Sequence, residues 1–267
     1  MSCFSAELER ATREGVSHPG NLPFLFKPKK PNGKALLLVH GFGASPYEMR
    51  PLGDLLCARG YLTLGTRLAG HGTHPEDLRF CRWQEWLNSV EHSYASLQEA
   101  GLPISLIGQS TGALLALSLA QQREVERLVL LSPFLRLRHP LAKLAGLIKY
   151  LIPYQQRQLP HPEHLHYYAR RPLAGIEQIG RLRNQVEPAL SQIKVPTLVI
   201  AAEGDQTVAR GTGRALFEKL GCPHKKFQLF GLETPHVLST PENPRFQETC
   251  RLIEDFLSEQ VPPVKIS

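Results

Sequence analysis

Ser110 stands between Gly108 and Gly112 in the stretch "LIGQSTGALLALSLA", residues 106–120. The run "ISLIG" before it reads as a strand, and the small and apolar residues after it have helical spacing. A G-x-S-x-G pattern at such a seam makes a sharp strand-to-helix turn. The hydroxyl is lifted to the top of a sheet, and the glycines remove β-carbons that would collide with neighbouring backbone. The helix N-terminus behind the serine favours negative charge. The plainer alternative is a serine that only caps the helix.

An alkyl hydroxyl reacts near neutral pH only if an imidazole takes its proton and an acid orients that imidazole. Asp205 in "GDQTV" follows the strand-like "PTLVIAAEG", and His236 in "FGLETPHVLS" follows "KKFQLF". Each lies just past a strand, so Ser110, Asp205 and His236 are expected at one rim. Glu233 stays open as an alternative orienting acid, close to His236 in sequence. Glu203 lies nearer the strand interior and reads as surface or packing. His40, His71 and His74 suit loop structure, and Ser45 and Ser132 follow strands without flanking glycines. Attack on a carbonyl also needs donors for the oxyanion. The Thr111 N–H, directly after the serine, is one. The loop "HGFG", residues 40–43, suggests Phe42 as the other, because its glycines allow close approach of backbone.

The elements that must position these groups alternate along the chain. Strands are read at "KALLLVH" (34–40), "YLTLGTRL", "PISLIG", "VERLVLLS", "PTLVIAAEG" and "KKFQLF". Helices are read at about Tyr47–Arg59, around Trp83 to Leu97, at Ser110–Gln122, near Thr212–Leu220 and at about Arg245–Ser258. Apolar strands separated by helices predict an α/β fold, a mostly parallel sheet with helices on both faces and chemistry at the carboxyl ends of the strands. The alternation breaks at 133–188, too long for a structureless loop. "PLAKLAGLIKYLI" and "LAGIEQIGRLRNQVEPAL" within it look helical. The interval therefore reads as a helical lid inserted into a core formed by 1–132 and 189–267.

Composition bounds the partners. Of 267 residues, 42% are apolar, enough for a large core. The five cysteines are scattered without a CxxC pair, which suggests reduced thiols and a cytoplasmic setting. No apolar leader or membrane-spanning run is read. The net charge is +7, and residues 133–185 alone hold nine Lys/Arg against two Asp/Glu. The excess thus belongs to the lid and not to a nucleic-acid motif. Three readings of it are a solvated outer face, attraction to anionic lipid surfaces, and recognition of an acidic group on a substrate. His139, His161, His164 and His166 are too irregularly spaced for a strong metal signal.

Together "LLLVHGFGASPYEM", "RLAGHGTHPEDL", "WQEWL", "LIGQSTGA", "VPTLVIAAEGDQTV" and "PHVLS" resemble the carboxylesterase and monoacylglycerol lipase/lysophospholipase branch of the α/β-hydrolase superfamily. The order Ser…Asp…His is that of the superfamily. The likeness runs from about Lys34 to Leu257, with the lid matching only in position and length. It implies a triad of Ser110, Asp205 and His236, an oxyanion hole at Phe42 and Thr111, no cofactor and no metal, and ester substrates with acyl chains. "GQSTGA" stands where that group more often has "GHSMGG", which bears on substrate preference and leaves the backbone donors intact. Acyltransferases, amidases and C–C bond hydrolases can share the triad, and a receptor could keep the fold without the chemistry.

Overall fold

A computed structural model describes residues 2–16, 18–138, 149–159 and 165–260. The described strands are β1 (Phe24–Phe26), β2 (Ala35–Val39), β3 (Leu62–Thr66), β4 (Ile104–Gln109), β5 (Leu128–Leu131), β6 (Tyr154–Gln156), β7 (Arg170–Pro172), β8 (Thr197–Ala202) and β9 (Lys225–Phe230). Seven of them form a sheet in the order β1-β3-β2-β4-β5-β8-β9. All neighbours pair in parallel except β1, which runs antiparallel to β3 at one edge.

The described α-helices are α1 (Ser2–Arg13), α2 (Arg50–Ala58), α3 (Pro75–Phe80), α4 (Trp83–Gln98), α5 (Thr111–Ala120), α6 (Leu173–Val186), α7 (Thr212–Lys219) and α8 (Phe246–Ser258). Strand β2 shows why they cover both faces. Its five residues are fully buried, and side chains of a strand alternate between faces. Ala35, Leu37 and Val39 join a cluster with Trp86 of α4, Leu114 of α5 and Ile179 of α6. Leu36 and Leu38 join another with Leu52 and Leu56 of α2 and Ile253 and Phe256 of α8. Helix α5 is buried from Thr111 through Leu119. Ala and Leu supply its helix propensity, and its lack of a polar face fits a helix covered all round.

The chain leaves β2 for β3 on one side and returns to β4 on the other. In open α/β sheets a ligand crevice lies outside the carboxyl ends of the strands at such a reversal. Val39 of β2 lies beside Gly108 of β4, so "HGFG" and Ser110 emerge as neighbours.

Several elements depart from the sequence reading. The expected helix from Tyr47 is a 3₁₀ turn over Pro46–Met49, and α2 begins at Arg50. Pro51 has no N–H for the i→i−4 ladder and sits where that N–H is not needed, in the first turn of α2. Part of the glycine-rich "AGHGTHPED" already belongs to α3. Helix α1, strand β1 and the ribbon β6–β7 carried no expectation. Helix α1 packs on α4 and is held by polar contacts: Ser93 Oγ donates to Glu7 at 2.9 Å, and Glu14 pairs with Arg67, which is 1% exposed.

Between β5 and β8 the described residues hold the antiparallel ribbon β6–β7 and helix α6. Leu173, Ile176, Ile179, Leu182 and Val186 of α6 recur at helical spacing and join the buried cluster with α5. Most of the helix expected in "PLAKLAGLIKYLI" lies outside the described residues, as do His139, His161 and His164. His166 stacks on Tyr47 at 3.5 Å between ring centroids. Among the described residues no group of three His, Cys, Asp or Glu is arranged to hold a metal ion, and no helix is long and apolar enough to cross a membrane.

Candidate active site

Ser110 sits at the junction of β4 and α5 with φ 57° and ψ −114°. A non-glycine residue there is strained, by of order 1–3 kcal/mol, unless its surroundings enforce the conformation. They do. The Ser110 N–H donates to the Leu131 carbonyl at 2.8 Å, and the Ser110 carbonyl accepts from the Ala113 N–H at 3.0 Å. A β-carbon on Gly108 would lie 2.4 Å from the Gly112 oxygen, and one on Gly112 would lie 2.2 Å from the Val39 oxygen. The glycines are therefore needed for close approach of β2, β4 and α5. The hydroxyl makes no capping bond to its helix, so the capping alternative does not describe it.

The hydroxyl instead meets an imidazole. His236 Nε2 lies 2.8 Å from Ser110 Oγ, and His236 Nδ1 lies 2.5 Å from Asp205 Oδ2. Asp205 follows β8 and His236 follows β9, so the fold brings together residues 95 and 126 positions from Ser110 along the chain. Asp205 is 4% exposed. Its other oxygen, Oδ1, accepts the N–H groups of Thr207 at 2.7 Å and Val208 at 3.1 Å. Burial alone would raise this carboxyl, but the bond to His236, the imidazole's charge and the two N–H groups outweigh it and hold the carboxyl below its ordinary value. An ionised Asp205 can only accept. Nδ1 must then carry the proton, which leaves Nε2 free to accept from the serine hydroxyl.

The rival acids lie elsewhere. Glu233 pairs with Arg245 at 3.0 Å on the surface, and Glu203 is exposed. The other imidazoles are structural. His40 is buried between the Gly41 carbonyl at 2.8 Å and the Leu68 N–H at 3.3 Å, and burial lowers it to about 4. Burial also holds His71 well below its usual value. Ser45 is buried against Asn21.

The loop after β2 comes up beside the serine. A β-carbon on Gly41 would lie 3.5 Å from Ser110 Cβ. The Gly41 N–H donates to Glu48 Oε2 at 2.6 Å. The Phe42 ring is pressed against Gly175 of α6 and lies 5.7 Å from Trp86. Among the described residues neither the Phe42 N–H nor the Thr111 N–H has a hydrogen-bond acceptor, and both residues line the same cavity as Ser110 and His236. Unpaired N–H groups at a cavity wall are suited to a developing oxyanion.

Three residues without an assigned role complete the site. Gln109, fully buried, donates through Nε2 to the His236 carbonyl at 2.9 Å and accepts the Leu238 N–H through Oε1 at 3.1 Å. Ser132, with φ 46°, donates to the same His236 carbonyl at 2.7 Å. Glu48, 3% exposed, holds Gly41, and burial raises its carboxyl above the usual range. The signal for Gln109 was present as the glutamine in "GQSTG", but its partners are far away in sequence.

The cavity over Ser110 has a volume of about 620 Å³. Its floor comes from Phe42, Ser110, Thr111 and His236, and much of its wall from Ile152, Arg157, Tyr167, Arg171 and Ile176 of the inserted interval.

Comparison with known proteins bears on this arrangement. A family model described as "Serine aminopeptidase, S33" matches residues 30–232. The thermostable monoacylglycerol lipase of Bacillus sp. (strain H-257) is 31% identical over 196 residues, covering 72% of this chain and 78% of that protein. The carboxylesterase of Bacillus subtilis (strain 168) is 24% identical over 222 residues, 81% of this chain and 89% of that one. A solved structure of metagenome-derived lipolytic enzymes, LipS and LipT, superposes with a TM-score of 0.79 at 21% identity, covering 90% of this chain and 99% of that one. The fold is the α/β-hydrolase fold.

Proposed function

The chain belongs to the serine aminopeptidase S33 family of hydrolases, and on that footing we propose that it is a serine carboxylic-ester hydrolase in which Ser110 is the nucleophile, His236 the base and Asp205 the orienting acid. The observation that carries the reading is the unbroken relay from Ser110 Oγ to His236 Nε2 at 2.8 Å and from His236 Nδ1 to Asp205 at 2.5 Å.

In this reading His236 Nε2 takes the hydroxyl proton as Ser110 Oγ attacks the ester carbonyl. The oxyanion is held by the N–H groups of Phe42 and Thr111. Collapse breaks the C–O bond, and His236 returns the proton to the leaving alcohol. Water then attacks the acyl-serine with His236 again as base, giving the carboxylic acid and free Ser110. Each step needs only an imidazole and water, so no cofactor enters.

The substrates proposed are short- to medium-chain acyl esters, among them monoacylglycerols or lysophospholipids. A cavity of about 620 Å³ lies within the ~300–1,000 Å³ usual for small-molecule sites. The named lipase and carboxylesterase relatives support the same class. We read 133–188 as a lid, and its exposed Tyr150 and Leu151 support transient contact with lipid surfaces. A cytoplasmic location is the matching proposal for a chain with scattered cysteines and no CxxC pair.

A fluorophosphonate probe followed by peptide mass spectrometry tests the nucleophile: the adduct is expected on Ser110. An unlabelled Ser110 in protein that hydrolyses p-nitrophenyl esters overturns the assignment. Turnover of an acyl-chain series, with product analysis in the presence of competing alcohols and amines, separates hydrolysis from acyl transfer and amide cleavage.

A further inference from the structure

Arg171 lies on β7, opposite Gln155 of β6, and lines the cavity over Ser110. Its Nε is buried without a hydrogen-bond partner, and no carboxylate among the described residues forms an ion pair with it. Burying a donor of a cation without a partner costs free energy, so a protein that keeps one in its reaction cavity needs a reason. The side chain as a whole is half-buried. Among the described residues Glu48 is the only acidic one of the cavity wall. Its Oε2 is already committed to the Gly41 N–H at 2.6 Å, and burial disfavours its charged form. Arg157, also on the wall, adds a second positive charge, and Arg138 a third.

The position is close to the chemistry. One end of the loop after β2 touches the nucleophile through Gly41, whose β-carbon would lie 3.5 Å from Ser110 Cβ. The other end touches Arg171 through Gly43, whose β-carbon would lie 3.6 Å from Arg171 Nε. A substrate held at Ser110 therefore lies within a few residues' width of the Arg171 guanidinium. Arg presents a planar fork of donors that matches the two oxygens of a carboxylate or phosphate.

We propose that the cavity selects esters carrying an anionic group, a carboxylate or a phosphate, and that Arg171, supported by Arg157, is the residue that binds it. This rests on the esterase reading and narrows its substrate class.

The test is a set of matched pairs. p-Nitrophenyl monoesters of succinic, glutaric and adipic acids are compared with neutral acyl esters of equal length. 1-Acylglycerol 3-phosphate is compared with the 1-acylglycerol of the same chain. The expected result at low salt is a kcat/KM ratio favouring the anionic member of at least one pair by roughly 10- to 100-fold, the scale of a charge-assisted hydrogen bond. The ratio should collapse at high salt and in Arg171→Met, and be partly restored in Arg171→Lys. The carboxylate and phosphate arms tell the two sources apart. A wild-type ratio at or below one in every pair overturns the proposal, whether or not the variants fold. So does a ratio that Arg171→Met leaves intact. If no ester of either kind is turned over, the esterase reading fails instead. Calorimetric titration with glutarate and glycerol 3-phosphate then judges the anion site alone: saturable binding lost in Arg171→Met upholds it, and an absence of heat overturns it.

Discussion

Gln109 holds His236 from the residue directly before the serine that His236 touches. Its amide donates to the His236 carbonyl at 2.9 Å while its oxygen accepts the Leu238 N–H at 3.1 Å. The imidazole's height above Ser110 is therefore set by β4 itself. Replacing Gln109 by Leu keeps the volume and removes both bonds. The displaced imidazole is expected to lower kcat by roughly 10- to 100-fold, and the orphaned buried groups to cost about 1–3 kcal/mol. Steady-state kinetics and thermal melts check the two effects separately. A kcat within twofold of wild type shows that the loop keeps its place without the clamp.

Ser110→Ala removes the proposed nucleophile and should abolish acyl-enzyme formation, with kcat down by at least about 10⁴-fold. Asp205→Asn tests a different link. An amide in place of the carboxylate favours the wrong imidazole tautomer, which is expected to lower kcat roughly 10⁴-fold while leaving the melting temperature less affected. Stopped-flow measurement of the p-nitrophenol burst reads both. A retained burst in Ser110→Ala removes Ser110 from the mechanism.

At the elbow, Gly112→Ala would place a methyl group 2.2 Å from the Val39 carbonyl oxygen. Helix α5 must then move off β2. Overpacking of this kind costs roughly 1–3 kcal/mol, and the movement carries Ser110 out of line. A lowered melting temperature together with lost turnover is the expected pair of observations. Gly101→Ala is a poor control because φ there is 64°. Gly180→Ala on α6 has open space around it and should be nearly silent.

His40 makes stability depend on pH. Burial lowers it to about 4 in the folded chain, against about 6.5 when unfolded. Between those values the unfolded chain binds the extra proton, so stability rises with pH and is lost as pH falls from about 6.5 towards 4. That gap is worth roughly 3 kcal/mol. His71, shifted the same way by burial, and Asp205, whose carboxyl is held low, add losses of the same sign, Asp205 at lower pH. Denaturant midpoints taken from pH 7 to pH 4 should fall steadily, and His40→Asn should flatten the curve even if it lowers its plateau. Glu48, raised by burial, works in the opposite sense, so the decisive outcome is the difference between the two proteins: a pH dependence that His40→Asn leaves unchanged contradicts a neutral, buried His40.

How much of this was legible beforehand depended on the range of the forces involved. The inner strands of the sheet could be read because both faces are covered, so that runs such as "ALLLV" and "LVLL" are apolar throughout. Ser110 could be read because its glycines are forced by contacts with adjoining elements. The three-residue strands β1, β6 and β7 are too short for any periodicity. Helix α1 was missed because its attachment is largely polar: Glu7 and Glu14 reach Ser93 and Arg67, partners that only folding brings near. The same holds for Gln109 and Ser132, which meet across 127 and 104 residues at the His236 carbonyl. Pro51, which fits only the first turn of a helix, is the residue that marks the late start of α2.

The proposed reacting groups and much of the cavity wall come from different stretches of chain. Ser110, Asp205 and His236 are anchored to strand ends, whereas Ile152, Arg157, Tyr167, Arg171 and Ile176 belong to the interval between β5 and β8. On the proposed reading, mutational drift in that interval redirects which molecules are accepted while the bond-breaking apparatus is inherited unchanged, and a graft of 149–186 between relatives is a natural way to exchange diets without rebuilding the reactor.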